Sequence, residues 1–428
     1  MERLYWNNDW KFAETWEEAM KEAVYPENEM EDVRLPHTCK ELPYHYFDEH
    51  AYQMLCGYRR HFMAPEAWQG KSVELTFEGV AHDAVVYVNG TEVKAHHCGY
   101  TAFFVEIAKY LKYGEDNVLA VRVDSRENLN IPPFGYAIDY MTFGGMYREV
   151  YVQVRNKTHL ADVFIKPQIH PLQVTTEITV QNISDGITLQ QEIRKKGEGA
   201  YSPLGKKPVK QTNVQTVFPV QEIRLWEPEN PYLYEIRTSL WKNGEMIDAR
   251  VDITGFREAG FRKDGFYLNG KKLRLRGLNR HQSYPYVGYA APASMQIFDA
   301  DILKKELGVN AVRTSHYPQS QDFIRRCDEI GLLVFTEFPG WQHIGDEEWK
   351  RQAVQNLKEM IVQYRNHPSI ILWGVRINES QDDDVFYRET NRVAHELDDT
   401  RATGGVRMLK KSHLLEDVYC LLYTSDAA

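Results

Sequence analysis

The run Ile370-Ile-Leu-Trp-Gly-Val-Arg-Ile-Asn-Glu-Ser380 decides the reading of this chain. Ile370 to Trp373 is a short apolar, β-rich stretch, the composition of a strand buried on both faces. It delivers Asn378 and Glu379 just beyond its end. In a parallel β/α barrel the residues past the C-terminal end of a strand face the mouth, where such folds keep their chemistry. A carboxyl group there, beside an amide able to bind a hydroxyl, suits acid/base work on an acetal. Alone, Asn-Glu after a strand also fits an ordinary loop acid, so the surrounding chain has to decide.

Outward from this run, strands and helices alternate. Strand Leu273 to Gly277 leads to helix Ser294 to Leu307, with Ser294 as N-cap and Gly308 as its stop. Strand Asn310 to Thr314 precedes helix Gln321 to Ile330, where Phe323, Ile324, Cys327 and Ile330 form one apolar stripe. Strand Leu332 to Thr336 precedes a helix over Asp346 to Tyr364. Helix Val385 to Leu397 and a fifth strand, Ala402 to Val406, follow. Repeated βα units predict parallel strands. No Gly-rich phosphate loop follows the first strand, so the barrel is favoured over a doubly wound sheet. The eight-unit fold typically takes about 250 residues, and the segment after residue 257 is too short for it. An incomplete TIM (β/α)8 barrel with about five strands is therefore expected. The final Cys420-Leu-Leu-Tyr-Thr-Ser-Asp-Ala-Ala428 predicts no further element, which suggests a chain that ends prematurely.

Two β regions precede the barrel. From Ser72 to Val154 the pattern alternates, with Val73, Leu75 and Phe77 on one face and Asn89-Gly90 between two apolar runs. Asn-Gly there is a hairpin signal, because both central residues of a type I′ turn need positive φ. Many short strands without helices predict a jelly roll over residues 1–156. A second set, including Val174 to Val180 and Tyr234 to Leu240 with Asn243-Gly244 as a turn, predicts an immunoglobulin-like β-sandwich over 157–257. The Gly-, Lys- and Pro-rich stretch from Gly197 to Lys207 reads as a loop. Residues 258–428 are the N-terminal part of the barrel domain.

The composition narrows function. A net charge of −10 with scattered Lys and Arg gives no field for a phosphate backbone, so no nucleic acid is expected. The five cysteines are far apart and odd in number, which argues against both a disulfide framework and a zinc site. No basic-apolar leader opens the chain and no apolar run reaches the length of a membrane span, so no membrane association and a cytoplasmic location are expected.

Each barrel strand ends in polar residues: Gly277-Leu-Asn-Arg-His281, Arg313-Thr-Ser-His316, Glu337-Phe-Pro-Gly-Trp341 and Asn378-Glu379. One such ending is unremarkable, but four in succession favour a polar pocket. No Gly-x-Ser-x-Gly elbow and no fixed metal-ligand spacing is present.

The pieces Arg276-Gly-Leu-Asn-Arg-His281, Asn310-Ala-Val-Arg-Thr-Ser-His-Tyr-Pro318 and Ile371 to Glu379 resemble glycoside hydrolase family 2, the family of β-galactosidases, β-glucuronidases and β-mannosidases. Gly144-Gly-Met-Tyr-Arg148 and Leu225 to Tyr234 support the likeness, which extends to about Val418. The resemblance implies a sugar-binding jelly roll, an immunoglobulin-like sandwich and a TIM barrel, in that order. It implies Glu379 as general acid/base, Asn378 as the amide on the sugar 2-hydroxyl, and His281, Arg313 and His316 as pocket residues. Asp139 falls where galactosidases of the group bring an aspartate from the first domain; an ordinary loop acid fits equally. Glu337 is similar to a pocket carboxylate that helps hold magnesium in some members, or is structural; Trp341 joins the pocket set. No cofactor is otherwise implied. A retaining β-glycosidase, foremost a β-galactosidase, is the expected activity on a small glycoside or oligosaccharide. β-Glucuronidase and a non-catalytic carbohydrate-binding fragment are the alternatives. The family's nucleophilic glutamate ends a later strand, so no nucleophile is nominated and the chain as given is expected to be inactive. Homo-oligomers are common in the family.

Overall fold

The computed structural model describes residues 3–43, 45, 48–135 and 138–421. In the first β unit a six-stranded antiparallel sheet runs in the order Glu31–Val33, Trp10–Ala13, Leu55–Met63, Asp116–Asp124, Asp83–Val88, Thr91–His96. A four-stranded sheet, ordered Leu4–Tyr5, Val150–Arg155, Ser72–Phe77, Phe103–Glu106, contributes to the same core. Strand alternation sends Val73, Leu75 and Phe77 into that core, where all three are fully buried. Asn89 and Gly90 take φ of 50° and 83°, the conformation expected of the type I′ turn between Asp83–Val88 and Thr91–His96.

The second unit packs three strands (His159–Gln168, Gln173–Gln181, Asn213–Pro219) with four (Ser202–Pro208, Ile187–Lys195, Tyr234–Lys242, Glu245–Thr254) over a separate apolar core. One expectation is corrected here. Most of the Gly197 to Lys207 stretch is not loop: Ser202–Pro208 is an edge strand paired with Ile187–Lys195. An edge strand is largely solvated, so Lys, Gly and Pro are tolerated there and hide its pattern.

The barrel unit is a curled sheet of six parallel strands: Gly277–Asn279, Ala311–Thr314, Leu333–Glu337, Ile370–Gly374, Ala402–Arg407 and Val418–Leu421. The expected count of about five is thus raised by Val418–Leu421, whose last two residues fall in the stretch from Cys420 read as carrying no further element. Only four residues long and paired on one side to Ala402–Arg407, that strand owes its form to its neighbour rather than to its own pattern. The first strand lies later than expected, at Gly277–Asn279. The first helix, Ala293–Asp301, has Pro292 at its N-cap rather than Ser294, and it runs into a π-helical turn over Ile302–Glu306. Helices Gln321–Ile330, Glu347–Tyr364 and Asp384–Leu397 cover the sheet and bury Phe323, Ile324, Cys327, Leu357, Met360 and Tyr364 against Val334 and Trp373. Among the described residues no helix is long and apolar enough to cross a membrane.

The first unit is tied directly to the barrel. Arg148, buried, donates from Nη2 to Gln282 Oε1 (3.1 Å) and to the Pro318 carbonyl (3.0 Å). Glu359 on the third helix accepts from Thr101 Oγ1 at 2.6 Å and lies 3.0 Å from His96 Nε2. Trp226 of the second unit donates to the Asp328 carbonyl at 2.8 Å.

Candidate active site

The barrel strands end around a compact polar network. Arg313, at the end of the second strand, points its guanidinium at Glu337 on the third: Nε to Oε1 at 2.7 Å and Nη2 to Oε2 at 2.9 Å, a bidentate pair. The same Nη2 donates to Asn378 Oδ1 at 2.6 Å, beyond the fourth strand. His316 Nδ1 lies 3.3 Å from Glu337 Oε2. Glu337 is buried at 2% exposure, and burial alone would raise its carboxyl. The Arg313 charge and the His316 hydrogen bond overcome that, so the group sits below its ordinary value and is held as a carboxylate. Gly374 makes room for it, since a Cβ there would stand 2.5 Å from Glu337 Cγ.

Glu379 lies beside this network, half-buried, and is engaged differently. Its Oε2 accepts from Gln342 Nε2 at 3.0 Å. Its backbone has φ of 55°, the left-handed region that a side-chain-bearing residue enters only when its surroundings hold it there. The surroundings do so. Glu379 N donates to the Val406 carbonyl (3.0 Å), Gln342 N to the Asn378 carbonyl (2.8 Å), and Arg376 Nη2 to the Ser380 carbonyl (3.3 Å). Trp341, half-buried, pairs its backbone with Asn378 as an isolated parallel bridge. The third and fourth strand endings are therefore laced together, and that lacing aims the Glu379 carboxyl.

His281, from the first strand's ending, has its ring near Tyr140 (5.1 Å), His316 (5.6 Å) and Tyr317 (5.8 Å), with Nδ1 3.1 Å from Tyr317 Oη. Part of the residue is open, yet the ring is sufficiently desolvated, with His316 and Arg313 adding repulsion, to lower its pKa to about 4. It is neutral near pH 7 and can donate or accept a hydrogen bond. Tyr140 comes from the first β unit, so that unit reaches the barrel's polar ending. Asp139, next to it, is exposed and acts on Tyr140 through its charge. Gly135 lies in the same loop at φ of 148°, where a Cβ would stand 1.9 Å from the His343 ring.

The residues at Glu337 do not fit a metal ion. Both carboxylate oxygens receive Arg313, and a cation would have to displace a guanidinium. Among the described residues no group of three or more His, Cys, Asp or Glu could hold an ion.

Of the sequence-derived candidates, Arg313, His316, Glu337 and Asn378 form one bonded cluster. Glu379 and Trp341 join it through the backbone, and His281 by ring contact. Gln342, Tyr140 and Tyr317 were missed. Gln342 and Tyr317 follow nominated residues directly in sequence, and Tyr140 follows Asp139; adjacency was the available signal.

Two β-sandwiches followed by a parallel β/α barrel, with carboxylates, an amide and histidines at its strand ends, define a multidomain protein of glycoside hydrolase architecture. Family models for the glycosyl hydrolases family 2 sugar binding domain, for glycosyl hydrolases family 2, and for its TIM barrel domain match residues 32–155, 158–257 and 260–426. The chain belongs to glycosyl hydrolase family 2. It is 49% identical over 424 residues to a β-galactosidase of Thermoanaerobacter pseudethanolicus, covering 97% of this chain and 57% of that protein. It is 35% identical to a β-galactosidase of Rhizobium meliloti, covering 89% and 51%. The structure of Bacteroides uniformis β-glucuronidase 2, covalently bound to cyclophellitol-6-carboxylate aziridine, superposes with a TM-score of 0.88 at 27% identity, covering 98% of this chain and 55% of that one. The chain spans about half the length of the curated relatives it matches.

Proposed function

We propose that this chain supplies the acid/base side of a retaining β-glycosidase acting on non-reducing terminal β-linked sugars, with galactose as the sugar. The observation that carries the reading is Glu379 fixed beside Asn378 past the fourth strand, in a chain half identical to a β-galactosidase. Glu379 gives its proton to the glycosidic oxygen as the bond from the anomeric carbon breaks, then takes a proton from the water that releases the sugar. Asn378 has its Oδ1 held by Arg313, which leaves Nδ2 to donate to a ring hydroxyl. Neutral His281, together with His316, takes further hydroxyls. Asp139 and Trp341 border the same sugar.

A retaining mechanism needs a second carboxylate about 5 to 5.5 Å from the first, free to attack. Glu337 is a poor nucleophile, because both of its oxygens are engaged by Arg313. In this proposal the nucleophile comes from outside the described residues, as the greater length of the relatives allows. Galactose is preferred to a uronic acid because Arg313, the cation of this cluster, is already spent on Glu337 and Asn378. Boundaries at 156/157 and 257/258 belong to the same proposal, in keeping with separate apolar cores. So does a cytoplasmic location, in keeping with five free cysteines.

The test is hydrolysis of nitrophenyl β-galactoside and nitrophenyl β-glucuronide. The 428-residue chain alone should leave both intact. Continued to the length of its relatives, it should cleave the galactoside, and Glu379→Gln should lower kcat/KM about 10²- to 10⁴-fold. Turnover by the 428-residue chain that Glu337→Gln abolishes would overturn the assignment, as would preference for the glucuronide. Galactose binding that survives deletion of residues 258–428 would point to a carbohydrate-binding module.

A further inference from the structure

A second cleft, about 560 Å3 in volume, lies away from this cluster. One wall is the three-stranded sheet of the second β unit, with Lys166, Gln168, Thr175 and Gln215 among its lining residues. The other is the foot of the barrel: Pro368 and Arg401 lie just before the fourth and fifth strands. The segment joining the two units, Thr254 to Ala259, crosses between them and carries Arg257.

The guanidinium of Arg257 is held by backbone carbonyls. Nε donates to the Pro368 carbonyl at 2.6 Å and Nη2 to the Ile370 carbonyl at 2.5 Å. Arg401 Nε reaches the same Ile370 carbonyl at 2.8 Å, so two guanidinium groups converge on one oxygen. Asp398, whose charge acts on Arg257, is bonded to Arg401 at 2.7 Å. Each other cation lining the cleft already holds an acid: Lys166 pairs with Glu177 and Asp399, Arg365 with Asp162, and Arg401 with Asp398. Among the described residues Arg257 forms no ion pair, and its Nη1 donates to no described group. Glu258 also lines the cleft but is exposed and does not pair with it. Carbonyl dipoles orient a guanidinium without neutralising it.

The half-buried position of Arg257 leaves part of it open to the cleft. Burial, followed by repulsion from Arg401 and only partly offset by the charges of Asp398 and Asp328, lowers its pKa to about 9.

We propose that this cleft binds a small polar molecule carrying a carboxylate or phosphate group. Arg257 receives the anion, and Gln168, Gln215 and Thr175 receive hydroxyls or other polar atoms on the sandwich side. A planar guanidinium with an open edge matches either oxyanion. The inference is independent of the glycosidase reading, because none of these residues touches Glu379 or Asn378.

The test is titration of the 428-residue chain with inorganic phosphate and, separately, with acetate, at constant ionic strength made up with chloride. Calorimetry reads affinity, and amide chemical shifts read location. The expected result is saturable 1:1 binding of at least one anion, with shifts centred on residues 165–170, 254–258 and 399–401. Arg257→Gln should weaken it about tenfold or more, the scale of one charge-assisted hydrogen bond. Gln215→Trp narrows the cleft from an exposed position on its strand and should weaken binding without unfolding the protein, so it decides the matter if Arg257→Gln does not fold. Absence of saturable binding by either anion would overturn the proposal. So would binding unchanged in both variants, or shifts confined to residues 313–316 and 378–379.

Discussion

Arg313 is the residue on which the polar cluster depends. Without it Glu337 would be a carboxylate at 2% exposure with only His316 beside it, and breaking a buried pair by removing one partner costs about 3–5 kcal/mol. Arg313→Met is expected to destabilise the protein by that amount in urea denaturation, and Arg313→Lys to recover little, because an ammonium cannot make the fork to both oxygens and still reach Asn378. The pH dependence should change sign. In the native protein Glu337 lies below its ordinary 4.5, so its contribution to stability is present above about pH 4.5 and is lost as pH falls through the lowered value. In Arg313→Met, burial would dominate and raise the carboxyl, so this group's contribution would instead diminish as pH rises above about 4.5. Urea midpoints for both proteins between pH 4 and 7 check this. At this scale the sequence marked Arg313, His316, Glu337 and Asn378 as strand-end polar residues. It could not show that one guanidinium joins Glu337, 24 positions away, to Asn378, 65 positions away.

Elements bring the first β unit over the barrel ending, and the third helix is the main anchor. Trp349, fully buried on Glu347–Tyr364, donates Nε1 to the Phe134 carbonyl at 3.2 Å and so holds the loop that leads on to Gly135, Asp139 and Tyr140. Trp349→Phe removes that hydrogen bond and some volume, and should cost about 1–3 kcal/mol. Amide exchange around residues 131–135 should rise with little change in the second sandwich; equal protection in both proteins would show that the loop is held by other contacts. Helix identity was largely legible, because the 3.6-residue stripe of Phe323, Ile324 and Cys327 is a local pattern. Two stretches read as carrying no strand each form one. Ser202–Pro208 carries Lys, Gly and Pro on an edge, and Val418–Leu421 is four residues paired on one side only. In both cases the pairing partner, not the intrinsic pattern, decides the conformation.

At the scale of the molecule, the barrel sheet has two ends among the described residues. Among the described residues Gly277–Asn279 pairs only with Ala311–Thr314, and Val418–Leu421 only with Ala402–Arg407. Leu278 at 47% exposure and Tyr419 at 39% stand on those edges. Open edges with apolar side chains recruit other chains. The 428-residue chain is therefore expected to associate with increasing concentration in sedimentation velocity, and Leu278→Lys should shift the equilibrium toward monomer; a profile that does not vary with concentration would sink this. The sequence by itself determined most element types, the order of two sandwiches and a parallel barrel, and the polar strand endings. Each of these is written in short-range periodicity, turn chemistry or neighbouring residues, which a folded environment reinforces rather than creates. Only the tertiary structure decided that Gln342 holds the Glu379 carboxyl, that Tyr140 reaches His281, and that Arg257 has no carboxylate partner among the described residues. Those facts depend on which distant strand ends and which facing units come within hydrogen-bond reach, and that is set by sheet register and domain packing rather than by local spacing.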